Sequence, residues 1–401
     1  MLAGIIIADI ANLFIFKYAN LAVDSTNSLN DYFGFFDESL MNLDMVLPLA
    51  ISFYTFQMIS YLVDVYRHEA REATNAIDFL YYVTFFPQLI AGPIVRPKEF
   101  FPQYCHKKLD FENLSTGFRI FTIGLFQKAV IGDNLAMVVD HGYKNVEQLS
   151  NYDLYIVLVA YSFQIFFDFA GYSNMAIGSA RMFGYKLPEN FNTPYIAENI
   201  SQFWRRWHMT LSRWIMDYIF IPLGGSRGTL VKTCKNLLIT MALGGLWHGA
   251  AWTFVVWGIF HGMGLVLHRL YGASGLQSKF SSLMPAKIYH WLMVFVTFQF
   301  VTIGWIFFRS QDFSTAWLIL AKLFDPQGWL TISVDQALLL KSYGFSAMLL
   351  YGVYVVITKL PQVTCYLQHR LYRPVVLYFF IYYFVIFLAP KNADPFIYFQ
   401  F

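Results

Sequence analysis

Charge is what this chain has least of: 13% of its 401 residues are Asp, Glu, Lys or Arg, roughly half the share found in soluble globular domains. That shortage excludes an ordinary water-dissolved domain. The formal net charge of +3 excludes a nucleic-acid partner too, because phosphates call for a concentrated basic face. Cysteine is almost absent. The three that occur, Cys105, Cys234 and Cys365, lie far apart, show no metal-ligand spacing and leave one unpaired in any disulfide scheme. There is no basic segment ahead of a short apolar core and no evident cleavage site at the amino terminus, so no removable signal peptide is expected. Internal repeats and long flexible linkers are missing as well, which points to one membrane-embedded domain over residues 1–401.

Abundance lies in apolar and aromatic side chains, at 57% and 20% of the chain. They gather in runs near the length of about 20 residues that a spanning helix needs: roughly 2–23, 46–66, 77–95, 117–139, 152–182, 236–270, 288–308, 338–360 and 373–390. This pattern predicts an all-α, polytopic integral membrane protein. Several runs carry charge, with Asp9 and Lys17 in the first, Lys128 and Asp133 in the fourth and Asp168 in the fifth, so those helices face protein or water along part of their length. Around Pro87, Gly92, Pro93, Pro97 and Pro102, helix breakers interleave with apolar sequence, and a re-entrant or broken helix is expected.

Basic residues set the orientation of a membrane protein. Four lie between Arg96 and Lys108 and six between Arg205 and Lys235, which places both stretches on the cytoplasmic side. At about 100° per residue, Trp207, Leu211, Trp214, Ile215 and Tyr218 fall within about 80° of Trp204, while Arg206, Arg213 and Asp217 lie opposite. The segment 204–218 therefore reads as an amphipathic helix at the interface or over a cavity. His208, at about 40° on the same wheel, points inward.

Of the nine histidines, His68, His106, His141 and His369 sit among polar residues and read as solvated loop histidines, and His290 opens an apolar run as an interfacial one. His261 and His268 share a helical face but stand about 10 Å apart along the axis, too far to ligate one metal; His248 falls about 140° from His261 on the same helix. No metal site is expected. His248 itself lies in Gly244-Gly245-Leu246-Trp247-His248-Gly249-Ala250, deep in an apolar run where an ionisable group is costly to keep. The flanking small residues leave room for a ligand to approach, and equally allow close helix packing. A neutral imidazole in such a place can act as general acid and base near neutral pH.

Several blocks together resemble the membrane-bound O-acyltransferase family. They are Leu47-Pro48-Leu49 with Ile51 to Phe56, Tyr61 to Tyr66 with Asp64, Phe85 to Ile94, Phe167 to Ser173, Glu189 to Tyr195, Phe203 to His208, Gly244 to Ala250 and the ending Pro395 to Phe401. Within the family the likeness is to bacterial alginate O-acetyltransferases, with peptidoglycan O-acetyltransferases similar. The resemblance implies a multi-helix fold with a central tunnel and re-entrant or interfacial helices. It also implies passage of an acetyl group from a cytoplasmic thioester donor, such as acetyl-CoA, to an extracytoplasmic polysaccharide. No bound cofactor is implied; the partners are the bilayer, the donor, a periplasmic acetyltransferase protein and the polysaccharide acceptor, at a bacterial inner membrane.

By the same resemblance His248 matches the catalytic histidine and His208 the second histidine of a tryptophan-rich motif. Trp204, Arg205, Arg206, Trp207, Trp247, Gly245 and Gly249 are assigned to substrate positioning, with Trp247 or glycine N–H groups as donors to a developing oxyanion, and Asp168 to a structural hydrogen bond. Family members carry further hydrophobic segments ahead of the point where this chain begins, so its amino terminus looks short by two or three helices. Competing readings are D-alanine transfer to teichoic acid, a transporter with a proton-relay histidine, and a scaffold for a polysaccharide assembly.

Overall fold

The computed structural model describes residues 2–104 and 107–330, together with 346, 349, 352, 353, 382 and 385–390. The expected segments 338–360 and 373–390 lie largely outside the described residues, and Cys105, Cys365, His106, His369 and the ending 395–401 lie outside them altogether. Among the described residues every regular element is helical. In chain order they are α1 (Leu2–Phe33), α2 (Ile51–Tyr66), α3 (Ala76–Thr84), α4 (Phe86–Leu89), α5 (Pro97–Tyr104), α6 (Phe111–Lys144), α7 (Asn151–Met182), α8 (Ile200–Trp204), α9 (Met209–Ile215), α10 (Leu230–His248), α11 (Trp252–Ala273), α12 (Leu276–Ser282), α13 (Ala286–Arg309) and α14 (Phe313–Phe324). Five of these, α1, α6, α7, α11 and α13, are long and apolar enough to cross a membrane.

The most deeply buried of the five is α7. It carries apolar side chains all round its surface, as a helix enclosed by others must, and Tyr161, Phe166, Phe167 and Phe169 are wholly buried. Glycine sets its distance from α6. A Cβ at Gly117 would stand 2.6 Å from the Gly178 carbonyl oxygen, and one at Gly124 2.5 Å from that of Gly171, so the two antiparallel backbones meet without side chains between them. Lys128 bridges the pair by bonding Asp133 on its own helix and Asp168 on α7, at 3.1 Å for the latter. The Asp168 bond expected from sequence is thus an ion pair that ties two helices.

A helix-breaking run does interrupt the chain where the prolines predict it. α3 stops at Thr84, Phe85 is extended, and Pro87 occupies the first turn of the short α4. The backbone that follows is satisfied by protein: Tyr82 donates its hydroxyl to the Val95 carbonyl, Gln88 donates to the Tyr82 carbonyl, and the Ile94 N–H donates to Thr210 Oγ1. That is the condition for non-helical backbone at membrane depth.

Two sequence expectations change. The run 236–270 is not one helix but two, α10 and α11, separated at Gly249–Ala251 where Gly249 and Ala251 are both extended. They fold back antiparallel, with Gly245 against Gly258 and Leu238 against Gly262, so helical-wheel arithmetic from His248 to His261 does not apply. Likewise 204–218 is not a continuous amphipathic helix. α8 ends at Trp204, the chain turns through Arg205–His208, and α9 begins at Met209 and runs into a π-turn at Met216–Phe220. The break is at His208, which adopts the left-handed conformation with φ 41°, a backbone state that costs energy in a non-glycine residue and persists only under tertiary constraint.

Candidate active site

His248 is the last residue of α10 and is 5% exposed. Its ring sits edge-on in an aromatic cage, 5.0 Å from Trp247, 5.0 Å from Trp257 and 5.2 Å from Phe308 between ring centroids. α10, α11 and α13 supply these rings.

Two cavities reach this residue. One, about 180 Å³, runs along α10 past Leu237, Thr240, Met241 and Gly244 to His248, and its walls are almost wholly apolar. The other, about 280 Å³, approaches from the far side through Lys17, Pro48, Ser52, Ile90 and Trp247, and is markedly more polar. Among the described residues, His248 alone lines both.

His208 lies 6.5 Å from His248 between ring centroids, too far for a direct bond between the rings. It lines neither cavity, and it is fully buried against Phe169 and Trp247. Its protonation pattern follows from Asn190. The Asn190 Oδ1 accepts from the Thr210 backbone N–H at 3.3 Å and from Thr210 Oγ1 at 3.0 Å, so it is the oxygen end of that amide. His208 Nδ1, 3.1 Å from the same oxygen, must therefore carry hydrogen and donate, leaving Nε2 with its lone pair. Nε2 has no hydrogen-bond partner among the described residues. The Met209 N–H donates to the Asn190 carbonyl, and the Asn192 N–H to the Arg206 carbonyl. The 189–195 segment thus pins the turn that holds His208 in its left-handed state.

The remaining expected residues divide. Trp204 lines the apolar cavity and packs on Trp257. Trp247 lines the second cavity and stacks on Phe56, while its indole N–H donates to the Ser52 carbonyl at 3.3 Å. Trp207 is buried against Phe203 and Trp305, away from both cavities. Arg205 is exposed, and Arg206 reaches Thr193 Oγ1 at 3.4 Å. Gly245 and Gly249 face α11, where a Cβ would stand 2.2 Å from the Phe254 carbonyl oxygen and 2.1 Å from the Phe254 ring. Of the glycines in this block, Gly244 is the one that borders a cavity.

Sequence reasoning gave no role to Asn190, Trp257 or Lys17, and treated His261 only as a metal candidate. His261 is fully buried beside Trp204 and Trp257, whereas His268 is half-buried. The signal for Asn190 was its place in the block Glu189 to Tyr195; nothing in the sequence marked its contact with His208.

The two basic stretches meet in space. Arg96 bonds Asp217 at 2.6 Å and Glu99 lies 3.5 Å from Arg213, so both belong to the same end of the helices. α10 starts beside that end, and its 19 residues span about 27 Å at 1.5 Å per residue. His248 is at its other end; α10 itself is not among the five helices long and apolar enough to cross a membrane.

Helices of membrane length and apolar composition packed around a buried histidine define a polytopic membrane protein. The chain belongs to the membrane-bound O-acyltransferase (MBOAT) family, whose family model matches residues 67–308. It is 39% identical over 351 residues to the probable alginate O-acetylase AlgI of Azotobacter vinelandii, covering 88% of this chain and 68% of that protein. It is 41% identical over 350 residues to a peptidoglycan O-acetyltransferase of Helicobacter pylori, covering 80% and 64%. Similarity extends to a teichoic acid D-alanyltransferase of Bacillus subtilis, 30% identical over 284 residues, covering 67% and 70%. The chain therefore spans about two thirds of the length of these relatives.

Proposed function

We propose that this chain is an O-acetyltransferase that moves an acetyl group from a thioester donor, acetyl-CoA, on the basic face to a hydroxyl acceptor delivered on the other face. The observation that carries the reading is that, among the described residues, His248 alone borders both cavities. The donor enters along α10 through the apolar cavity and the acceptor through the polar one. Transfer across the bilayer then needs no movement of the reacting groups past a barrier.

In this mechanism His248 takes the proton from the acceptor hydroxyl as its oxygen attacks the thioester carbonyl. The C–S bond breaks as the new C–O bond is kept, and the proton passes to the departing thiolate. His208, whose tautomer Asn190 fixes through Nδ1, serves the proton path from Nε2 through one bridging hydroxyl or water. The developing oxyanion needs a donor. The indole N–H of Trp247 is engaged with Ser52, whereas that of Trp257, in the same wall as His248, has no acceptor among the described residues. Trp257 is the better assignment.

The acceptor is an extracytoplasmic polysaccharide, alginate-like or peptidoglycan, reached through a periplasmic partner protein at a bacterial inner membrane. Similarity to a D-alanyltransferase keeps one rival, in which the group moved is D-alanyl and the acceptor teichoic acid. The decisive experiment is His248→Ala in membrane vesicles, with insertion verified, assayed for thioester cleavage that depends on acceptor. Loss of about 10²–10⁴-fold is expected for removal of a general base. Undiminished transfer rejects the assignment, and mass analysis of the product distinguishes acetyl from D-alanyl.

A further inference from the structure

The carbonyls of the last turn of an α-helix have no partner inside their own helix. α10 ends at His248 because Gly249 turns extended, with φ −160° and ψ 156°, and no left-handed residue closes the turn. Three of the terminal carbonyls are met instead by two adjacent side chains of α1. Tyr18 Oη donates to Leu246 O at 2.8 Å, and Lys17 Nζ donates to Trp247 O at 2.6 Å and to His248 O at 3.3 Å. Lys17 also bonds Ser52 Oγ at 3.1 Å at the start of α2.

Adjacent residues of a regular α-helix project about 100° apart. In α1 the two fall at the end of a π-turn, Phe14–Tyr18, and π-turns inside α-helices recur at functional sites. A basic side chain at a helix C-terminus also complements the helix dipole. Around the same point Trp247 is gripped by Phe53, Phe56 and the Ser52 carbonyl. The backbone that carries His248 is thus held by α1 and α2.

We infer that Lys17 and Tyr18 form a cap in trans for α10 and are positioning residues for His248. The inference rests on His248 being the base. Without the cap, the carbonyls of residues 246–248 lose their partners at membrane depth, the last turn frays, and the imidazole loses the orientation that joins the two cavities.

The test uses the full chain in lipid nanodiscs, with Lys17→Met, Lys17→Arg and Tyr18→Phe beside His248→Ala. Turnover is measured with a thioester donor, and amide hydrogen exchange by mass spectrometry. Lys17→Met is expected to lower kcat about tenfold or more while KM for the donor moves less than about threefold. Exchange should rise in peptides covering 244–251 and not in α7, with Lys17→Arg recovering most of both and Tyr18→Phe giving a smaller change. The inference is overturned if kcat stays within about twofold of the parent, or if exchange rises throughout the protein, since the lysine then serves general stability. Should His248→Ala turn over normally, the reading of His248 falls. The exchange pattern still decides whether these two residues hold the end of α10.

Discussion

Asn190 Oδ1 gathers three donors, the backbone N–H and hydroxyl of Thr210 and the Nδ1 of His208, and so fixes both the turn and the tautomer of a buried histidine. Asn190→Ala strands those donors, at a cost of about 1–3 kcal/mol for a buried unsatisfied group. It also frees His208 to move its proton to Nε2. Acyl transfer is expected to fall about 10-fold or more. Asn190→Asp keeps an acceptor in place and should retain more of the rate. Initial rates in vesicles, read beside thermal unfolding in detergent, separate the two effects. A full rate from Asn190→Ala would show that the tautomer of His208 is irrelevant.

The α10–α11 hairpin depends on glycine at the point of closest approach. A Cβ at Gly245 would lie 2.2 Å from the Phe254 carbonyl oxygen and 3.0 Å from Gly258 Cα, and both are backbone atoms that cannot swing aside. Gly245→Ala should therefore lower stability by at least the 1–3 kcal/mol typical of overpacking. The loss should appear as a reduced thermal midpoint. Unchanged stability would mean that the two helices separate freely there.

These glycines show what the sequence made legible and what it did not. Hydropathy and length located the five long apolar helices, because burial in lipid is a property each segment carries by itself, whereas the expected runs 46–66 and 77–95 fold as the shorter α2 and α3; the prolines from Pro87 onward marked their own break. His248 stood out because an imidazole in an apolar run is locally anomalous. Whether Gly245 served substrate or packing was undecidable from sequence, since both uses need the same missing side chain, and only the position of Phe254 separates them. The turn at His208 escaped the helical wheel for a similar reason. Its backbone is held by Asn190, a residue 18 positions away, while the residues around it keep a helical pattern. Lys17 was visible as an impurity in an apolar run, but its partner lies 230 positions on.

Lys128 offers a contrast in buried charge. It is flanked by Asp133 and Asp168, with all three side chains largely buried. Removing the lysine leaves two carboxylates facing each other, and breaking a buried pair in this way typically costs about 3–5 kcal/mol. Lys128→Met should be strongly destabilised, whereas Asp168→Asn, which leaves the Lys128–Asp133 pair intact, should be milder. Thermal unfolding of both variants checks the order. The reverse order would place the triad's main load on the α6–α7 crossing rather than on charge balance.

Gly244 and Gly245 are neighbours in sequence with opposite expected failures. Gly245 faces α11, but a Cβ at Gly244 meets only the terminal Cδ1 methyl of Ile215, at 3.1 Å, and projects towards the apolar cavity one turn before His248. That methyl can rotate away, and the added side chain then fills space rather than displacing backbone. Gly244→Leu should consequently keep a thermal midpoint near the parent's while cutting acyl transfer about 10-fold or more by blocking the donor's approach, a misplacement effect at the reacting centre. The measurement is the pair of quantities for each variant. If Gly244→Leu transfers acyl groups at the parental rate, the donor does not travel along α10 and the apolar cavity has no part in the reaction.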